Sequence, residues 1–133
     1  MKAVFDSNIF VSAIAIPGGR SDTAIMSVVN GSVGLVISKE IIQEVLAALA
    51  RKFSKDAEEL SRAAIFLSNL GEIVRPKIKL KVLEDDPDNR ILECAIAGKA
   101  DVIVTGDKAM LALLEYHGVR IISLRQFIEY LAE

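Results

Sequence analysis

Four acidic residues fall where a carboxylate has chemistry open to it. Asp6 interrupts the apolar run VFDSNIFVSAIAI, Glu44 sits in SKEIIQEVL, Asp88 in DPDNRILECA and Asp107 in VTGDK. Each alone has an ordinary explanation: Asp6 and Asp107 precede helices and can cap them, and a helical glutamate usually faces water. Jointly they point elsewhere. Carboxylates gathered from separate segments repel one another unless a hard cation lies between them. Mg²⁺ or Mn²⁺ suits oxygen ligands and retained waters. Such a site lowers the pKa of a bound water and clamps the oxygens of an in-line phosphoryl displacement. Phosphodiester hydrolysis is the leading chemistry.

The elements that would position these acids follow from the apolar pattern. Residues 2–5 read as a buried strand and 9–16 as a helix stopped by Pro17-Gly18-Gly19. A second helix runs over 22–29, a strand over 34–38, and a long helix from Ser38 to about Phe53. Another helix spans 56–70. The stretch RPKIKLKVL, 75–83, alternates basic and apolar residues as a half-exposed strand or an extended connector would, and its lysines can discourage edge pairing. Then come a helix over 88–99, a strand over 102–105, a helix over 108–117, a strand over 120–123 and a closing helix to Leu131. Strand and helix alternate, no tight hairpin is signalled, and the strands are near-continuously apolar. That combination predicts a central parallel sheet covered on both faces, a three-layer α/β/α sandwich formed as one domain over 1–133.

In such sheets ligands bind beyond the carboxyl ends of the strands. Asp6 and Asp107 follow strands, whereas Asp101 precedes one and is expected at the opposite end in a structural role. Extending the stripe Ile91, Leu92, Ala95 and Ile96 backwards at helical spacing puts Asp88 near its centre, pointing inward. Burying a lone carboxylate is costly without a cap, a proton or a cation. Arg90 and Glu93 project outward on the same projection. Glu44 lies on the flank of its helix and Glu40 nearly opposite the core.

Composition narrows the class. At 133 residues, 52% apolar and 26% charged, the chain is sized and composed for one ordinary globular domain. Its single cysteine, Cys94, rules out an internal disulfide and a cysteine-based zinc site. No apolar run approaches the ~18 residues of a membrane span, and a cytoplasmic protein is expected. A net charge of −2 argues against a strongly basic nucleic-acid glove. Acids in one pocket with lysines and arginines at its rim would still suit nucleic acid.

The order and spacing of Asp6-Ser7-Asn8, Glu44, Asp88 and VTGDK resemble the PIN domain family, in particular the small VapC-like toxins of toxin–antitoxin pairs, from Met1 to about the last helix. The resemblance implies a Mg²⁺- or Mn²⁺-dependent ribonuclease with Asp6, Glu44, Asp88 and Asp107 as catalytic and metal-binding carboxylates. Asn8 and Thr105 sit where the family often places supporting polar residues, although Thr105 is equally an ordinary strand residue. RNA as substrate, an antitoxin protein as partner and a homodimer are implied in the same way. Among the basic residues Arg20, Arg51, Lys52, Lys55, Arg75, Lys77, Lys79, Lys81 and Lys108, the last adjoins the acids and is the leading RNA contact. The others read more simply as solvated surface.

Competing assignments find less support. His117, the only histidine, is expected at a helix C-terminus, and Cys94 lacks a neighbouring base. An aspartate-nucleophile phosphatase wants a second acid where Asn8 stands, and a phospho-acceptor receiver domain expects an acidic pair at the first strand. A catalytically inactive metal- or RNA-binding PIN scaffold is the alternative from a different functional class.

Overall fold

The computed structural model describes residues 1–133. The chain runs β1 (Lys2–Phe5), α1 (Ser7–Ala15), α2 (Arg20–Val29), β2 (Gly34–Ser38), α3 (Lys39–Phe53), α4 (Ala57–Leu70) and β3 (Glu72–Val74). It continues with α5 (Asp86–Ala97), β4 (Val102–Val104), α6 (Lys108–Leu111), β5 (Glu115–Tyr116), β6 (Val119–Ile122) and α7 (Leu124–Leu131). The six strands form one sheet in the order β3-β2-β1-β4-β6-β5, parallel except for β5.

The expected α/β sandwich is what forms, and burial shows why. Three consecutive residues are buried in β1 (Ala3, Val4, Phe5) and three in β4 (Val102, Ile103, Val104), so helices cover both faces of the sheet centre. Phe5 packs against Phe10 of α1 and Phe127 of α7, with ring centroids 5.8 and 5.5 Å apart. Helix α5 lies across β1, β2 and β4, while α3 packs on α1, α4 and α5. The close seat of α5 depends on Gly98: a Cβ there would stand 2.1 Å from Cγ1 of the buried Val36 on β2.

Helix starts follow their capping signals. Ser38 caps α3, and Asp56 with Glu59, and Ser123 with Gln126, form capping boxes on α4 and α7.

Two expectations fail and one open alternative is resolved, each because partners distant in sequence decide. The helix expected over 108–117 stops at Leu111, and the chain turns back as a β5–β6 hairpin. Its corner is His117-Gly118, both left-handed at φ 49° and 82°, the geometry that suits the twist of a two-residue hairpin. His117 is therefore a turn residue packed against Tyr116, not a helix end. The edge strand is 72–74 rather than any part of 75–83. Side chains of α5 capture the backbone of 80–83 instead: Glu93 accepts from the Leu80 N–H, and Asn89 accepts from those of Val82 and Leu83. The stretch is a connector lying on α5. Finally, Glu93 is buried and Arg90 largely so, paired at 2.7 Å, because that connector covers the face expected to meet solvent.

Candidate active site

The parallel pairing of β1 with β4, Phe5 opposite Val104, brings Asp6 and the turn Thr105-Gly106-Asp107 to the same end of the sheet. Asp6 is buried at the N-terminus of α1, where Oδ1 accepts from the Asn8 N–H at 3.2 Å. Its other oxygen, Oδ2, accepts a 2.6 Å hydrogen bond from the Thr105 hydroxyl. Thr105, fully buried, also accepts from the Asp107 N–H at 3.0 Å, so one hydroxyl ties both acidic turns together. Asp107 caps α6 through Met110 N–H at 2.9 Å and remains half-buried. The capping roles are real, yet each aspartate has lone pairs beyond those its cap uses.

Asp88 comes from the opposite side, in the first turn of α5. It is buried as its stripe predicts, and Oδ2 has no hydrogen-bond partner. Burial, then the charges of Asp107, Asp6 and Asp85, push its carboxyl up to about 7 from an ordinary 3.8. A carboxylate in that position either keeps a proton or needs a cation. An orphaned carboxylate oxygen within range of two further aspartate charges is the kind of oxygen donor a hard divalent ion takes. The side chains are not closed around a ready-made cage: no three His, Cys, Asp or Glu groups stand as a complete ligand set.

Asp88 feels the charges of Asp107 and Asp6, and Glu44 stands beside this group. It is half-buried and lines an adjoining cavity of about 120 Å³ with Ser7, Glu40, Asp86, Pro87 and Arg90. Glu40, expected to face away, borders the same cavity. Asp86 is exposed and paired with Arg90 at 3.3 Å, so Asp88 alone of that acidic turn enters the cluster. Lys108, first residue of α6, is exposed beside Asp107 with no ion pair, and Asn8 is exposed with only its backbone N–H engaged. Asp101 sits at the far end, accepting from the Lys2 N–H at 2.8 Å.

Residue-by-residue reading missed Asn89, Arg90, Glu93 and Asp85. Asn89 is buried and holds the connector at three backbone groups, the N–H of Val82 and Leu83 and the C=O of Leu83. Arg90 Nη2 donates to the Leu80 C=O and to Glu93. An inward Asn89 beside an inward Asp88 was available as a signal, since both begin an apolar stripe. Cys94 is fully buried, and burial pushes its thiol up to about 12, which removes it as a nucleophile.

A profile of the PIN domain matches residues 2–109. The chain belongs to the PIN domain family. PIN domains are in general nucleases, which makes hydrolysis of nucleic acid the family's activity. This PIN domain is 26% identical over 117 residues to the uncharacterised protein MJ1680 of Methanocaldococcus jannaschii, covering 85% of this chain and 75% of that one. Its fold is similar to VapBC2 from Rickettsia felis bound to a DNA fragment from their promoter, with a TM-score of 0.66 and 16% identity, covering 92% and 98% of the two chains. VapBC-1 from nontypeable Haemophilus influenzae gives a TM-score of 0.63 at 15% identity, over 94% and 99%. These two likenesses establish the architecture.

Proposed function

We propose that this chain is a single nuclease domain, a divalent-metal-dependent endoribonuclease acting on single-stranded or structured RNA in the cytoplasm, as the toxin of a toxin–antitoxin pair. The observation that carries the reading is the buried, unpartnered Oδ2 of Asp88, on a carboxyl that feels the charges of Asp107 and Asp6. Asp6, Asp88 and Asp107 would hold Mg²⁺ or Mn²⁺, with Glu44 reaching in from α3. The ion would supply Lewis-acid stabilisation of charge building on the phosphoryl oxygens of an in-line displacement.

The chain's own residues do the rest. Thr105 orients Asp6 and the Asp107 turn, and the Asn8 backbone N–H steadies the second oxygen of Asp6. Asp88, its carboxyl pushed up to about 7, would hold the cation as the carboxylate, which would couple binding to pH. Lys108 stands beside Asp107 to meet an RNA phosphate, and Asn8 adds a polar side chain at the rim. The VapBC folds it resembles support an antitoxin protein as partner, and a homodimer would be the resting assembly.

The test incubates structured and unstructured RNAs with wild type and Asp6→Asn, in Mn²⁺ or in EDTA. Cleavage confined to wild type with Mn²⁺ is expected. Equal cleavage by both proteins, or undiminished cleavage in EDTA, overturns the metal mechanism. Metal binding without cleavage across a broad RNA set makes the chain a binding scaffold.

A further inference from the structure

The connector between β3 and α5 carries Arg75, Lys77, Lys79 and Lys81, four of the chain's 16 basic residues in seven positions, with no acid from 75 to 83. All four are exposed. None makes a side-chain hydrogen bond or joins any of the six ion pairs, which use Lys2, Lys55, Arg62, Arg90 and Arg125. Like charges this close repel one another, so the arrangement costs stability unless something negative lies along it.

Edge protection does not account for them. The sheet edge is β3, which ends at Val74, and the connector takes no part in the sheet. Its course is set from beneath, by Glu93 at Leu80, Arg90 at the Leu80 carbonyl and Asn89 at Val82 and Leu83. The lysines are thereby mounted on a pinned segment, which limits the ordering cost of using them. Alternate positions place the Cα atoms of successive basic residues at most ~7 Å apart along a line one chain wide.

The line has a direction. Val82, next after Lys81, is tied to Asn89, the immediate neighbour of Asp88. From Arg75 to Leu80 the connector borders a cavity of about 210 Å³ against α5, lined by Arg75, Lys77, Ile78, Leu80 and Ile96 and by Glu93, whose charge Arg90 neutralises at 2.7 Å. The row of free cations therefore leads from an open groove to the acidic cluster.

We propose that the connector is a track for the sugar-phosphate backbone of single-stranded RNA, with Lys77, Lys79 and Lys81 as successive phosphate contacts that deliver the strand to the Asp88 pocket. The proposal rests on the nuclease reading for its substrate. A single strand suits one narrow line of charge, whereas a duplex presents two backbones. An overall charge of −2 conceals the track because acids flank it, Glu72 before Arg75 and Glu84, Asp85 and Asp86 after Leu83, while none interrupts 75–83.

The test measures binding of a labelled, unstructured RNA by anisotropy across a salt series, using full-length Asp6→Asn in EDTA so that nothing is cut. It compares this parent with the same chain carrying Lys77→Ser, Lys79→Ser and Lys81→Ser. Each lost phosphate contact removes about 0.7 from the slope of log K against log salt, so the triple variant should lose about 2, and bind roughly a hundredfold more weakly near 0.1 M salt. Three arginines at these positions should restore the slope. Removing Arg20, Arg51 and Lys52, on α2 and the last turn of α3, should leave it unchanged.

An unchanged slope in the triple variant, an equal fall in the control variant, or a parent that binds no RNA overturns the track. So does a triple variant that keeps RNA and loses only poly-glutamate, which would make the stripe a dock for an acidic polypeptide. The two readings separate cleanly. Wild type that cleaves RNA with an unchanged slope in the variant keeps the nuclease and loses the track. Wild type that never cleaves but shows the slope difference keeps the track and loses the nuclease.

Discussion

Thr105 and Asp6, 99 positions apart, share a 2.6 Å hydrogen bond in which the fully buried hydroxyl donates to the carboxylate Oδ2. The same oxygen of Thr105 accepts from the Asp107 N–H at 3.0 Å. The backbone ladder holds the ends of β1 and β4 together, and this one hydroxyl ties the Asp6 carboxylate to the turn that carries Asp107.

Thr105→Val keeps the shape and removes both hydrogen bonds, leaving a buried carboxylate oxygen and an amide without partners. The expected cost is about 1–3 kcal/mol, read from urea unfolding, with RNA cleavage falling alongside. Thr105→Ser retains the hydroxyl and should recover most of the cleavage. Equal activity in Val and Ser variants would reduce Thr105 to a packing residue.

Asp88 makes the metal-free protein sensitive to pH. Unfolded, its carboxyl titrates near 3.8; folded, burial and the neighbouring acids raise it to about 7. Between those values the folded state binds more protons than the unfolded state, so stability falls as pH rises through the window and levels off above it. In EDTA, wild type should therefore unfold at lower urea near pH 8 than near pH 5, and Asp88→Asn should flatten that difference. A slope indifferent to Asp88→Asn would contradict the burial of a lone carboxylate.

Mn²⁺ should reverse the penalty. At a hundredfold excess over its Kd a ligand of the folded state alone adds about 2.7 kcal/mol, and the gain should shrink toward acid pH as Asp88 regains its proton. Thermal unfolding with and without Mn²⁺ at two pH values measures it. Asp6→Asn or Asp107→Asn should diminish the gain.

Asn89→Ala would free the N–H groups of Val82 and Leu83 and the Leu83 carbonyl. Stability should drop by about 1–3 kcal/mol, with faster hydrogen exchange at those two amides. If the connector carries RNA, binding should weaken although no charge has changed.

Gly98→Ala tests the seat of α5. The added Cβ meets a buried valine on β2 at 2.1 Å, so the helix or the strand must shift. A loss of about 1–3 kcal/mol is expected. Because α5 also carries Asp88, Mn²⁺-dependent stabilisation should fall in the same variant.

The sequence by itself determined the alternation of strands and helices, the strand ends that carry Asp6 and Asp107, and the inward aim of Asp88. These are local properties: apolar period, capping residues and position along a stripe act over a few residues. Tertiary structure decided which flanks are flanks. Arg90 and Glu93 look solvated until the 75–83 connector, whose amides need acceptors once it leaves the sheet, is drawn down onto α5. The hairpin at His117-Gly118 likewise depends on β6 pairing with β4 and leaving an edge for β5 to fill. Glu44 illustrates the same division: its flank position is legible from helical spacing, but its place in a cavity with Ser7, Pro87 and Arg90 follows from how α3 packs on α1 and α5. Hydrogen-bond satisfaction and packing across long sequence separations settle such positions, and no window of the chain contains both partners.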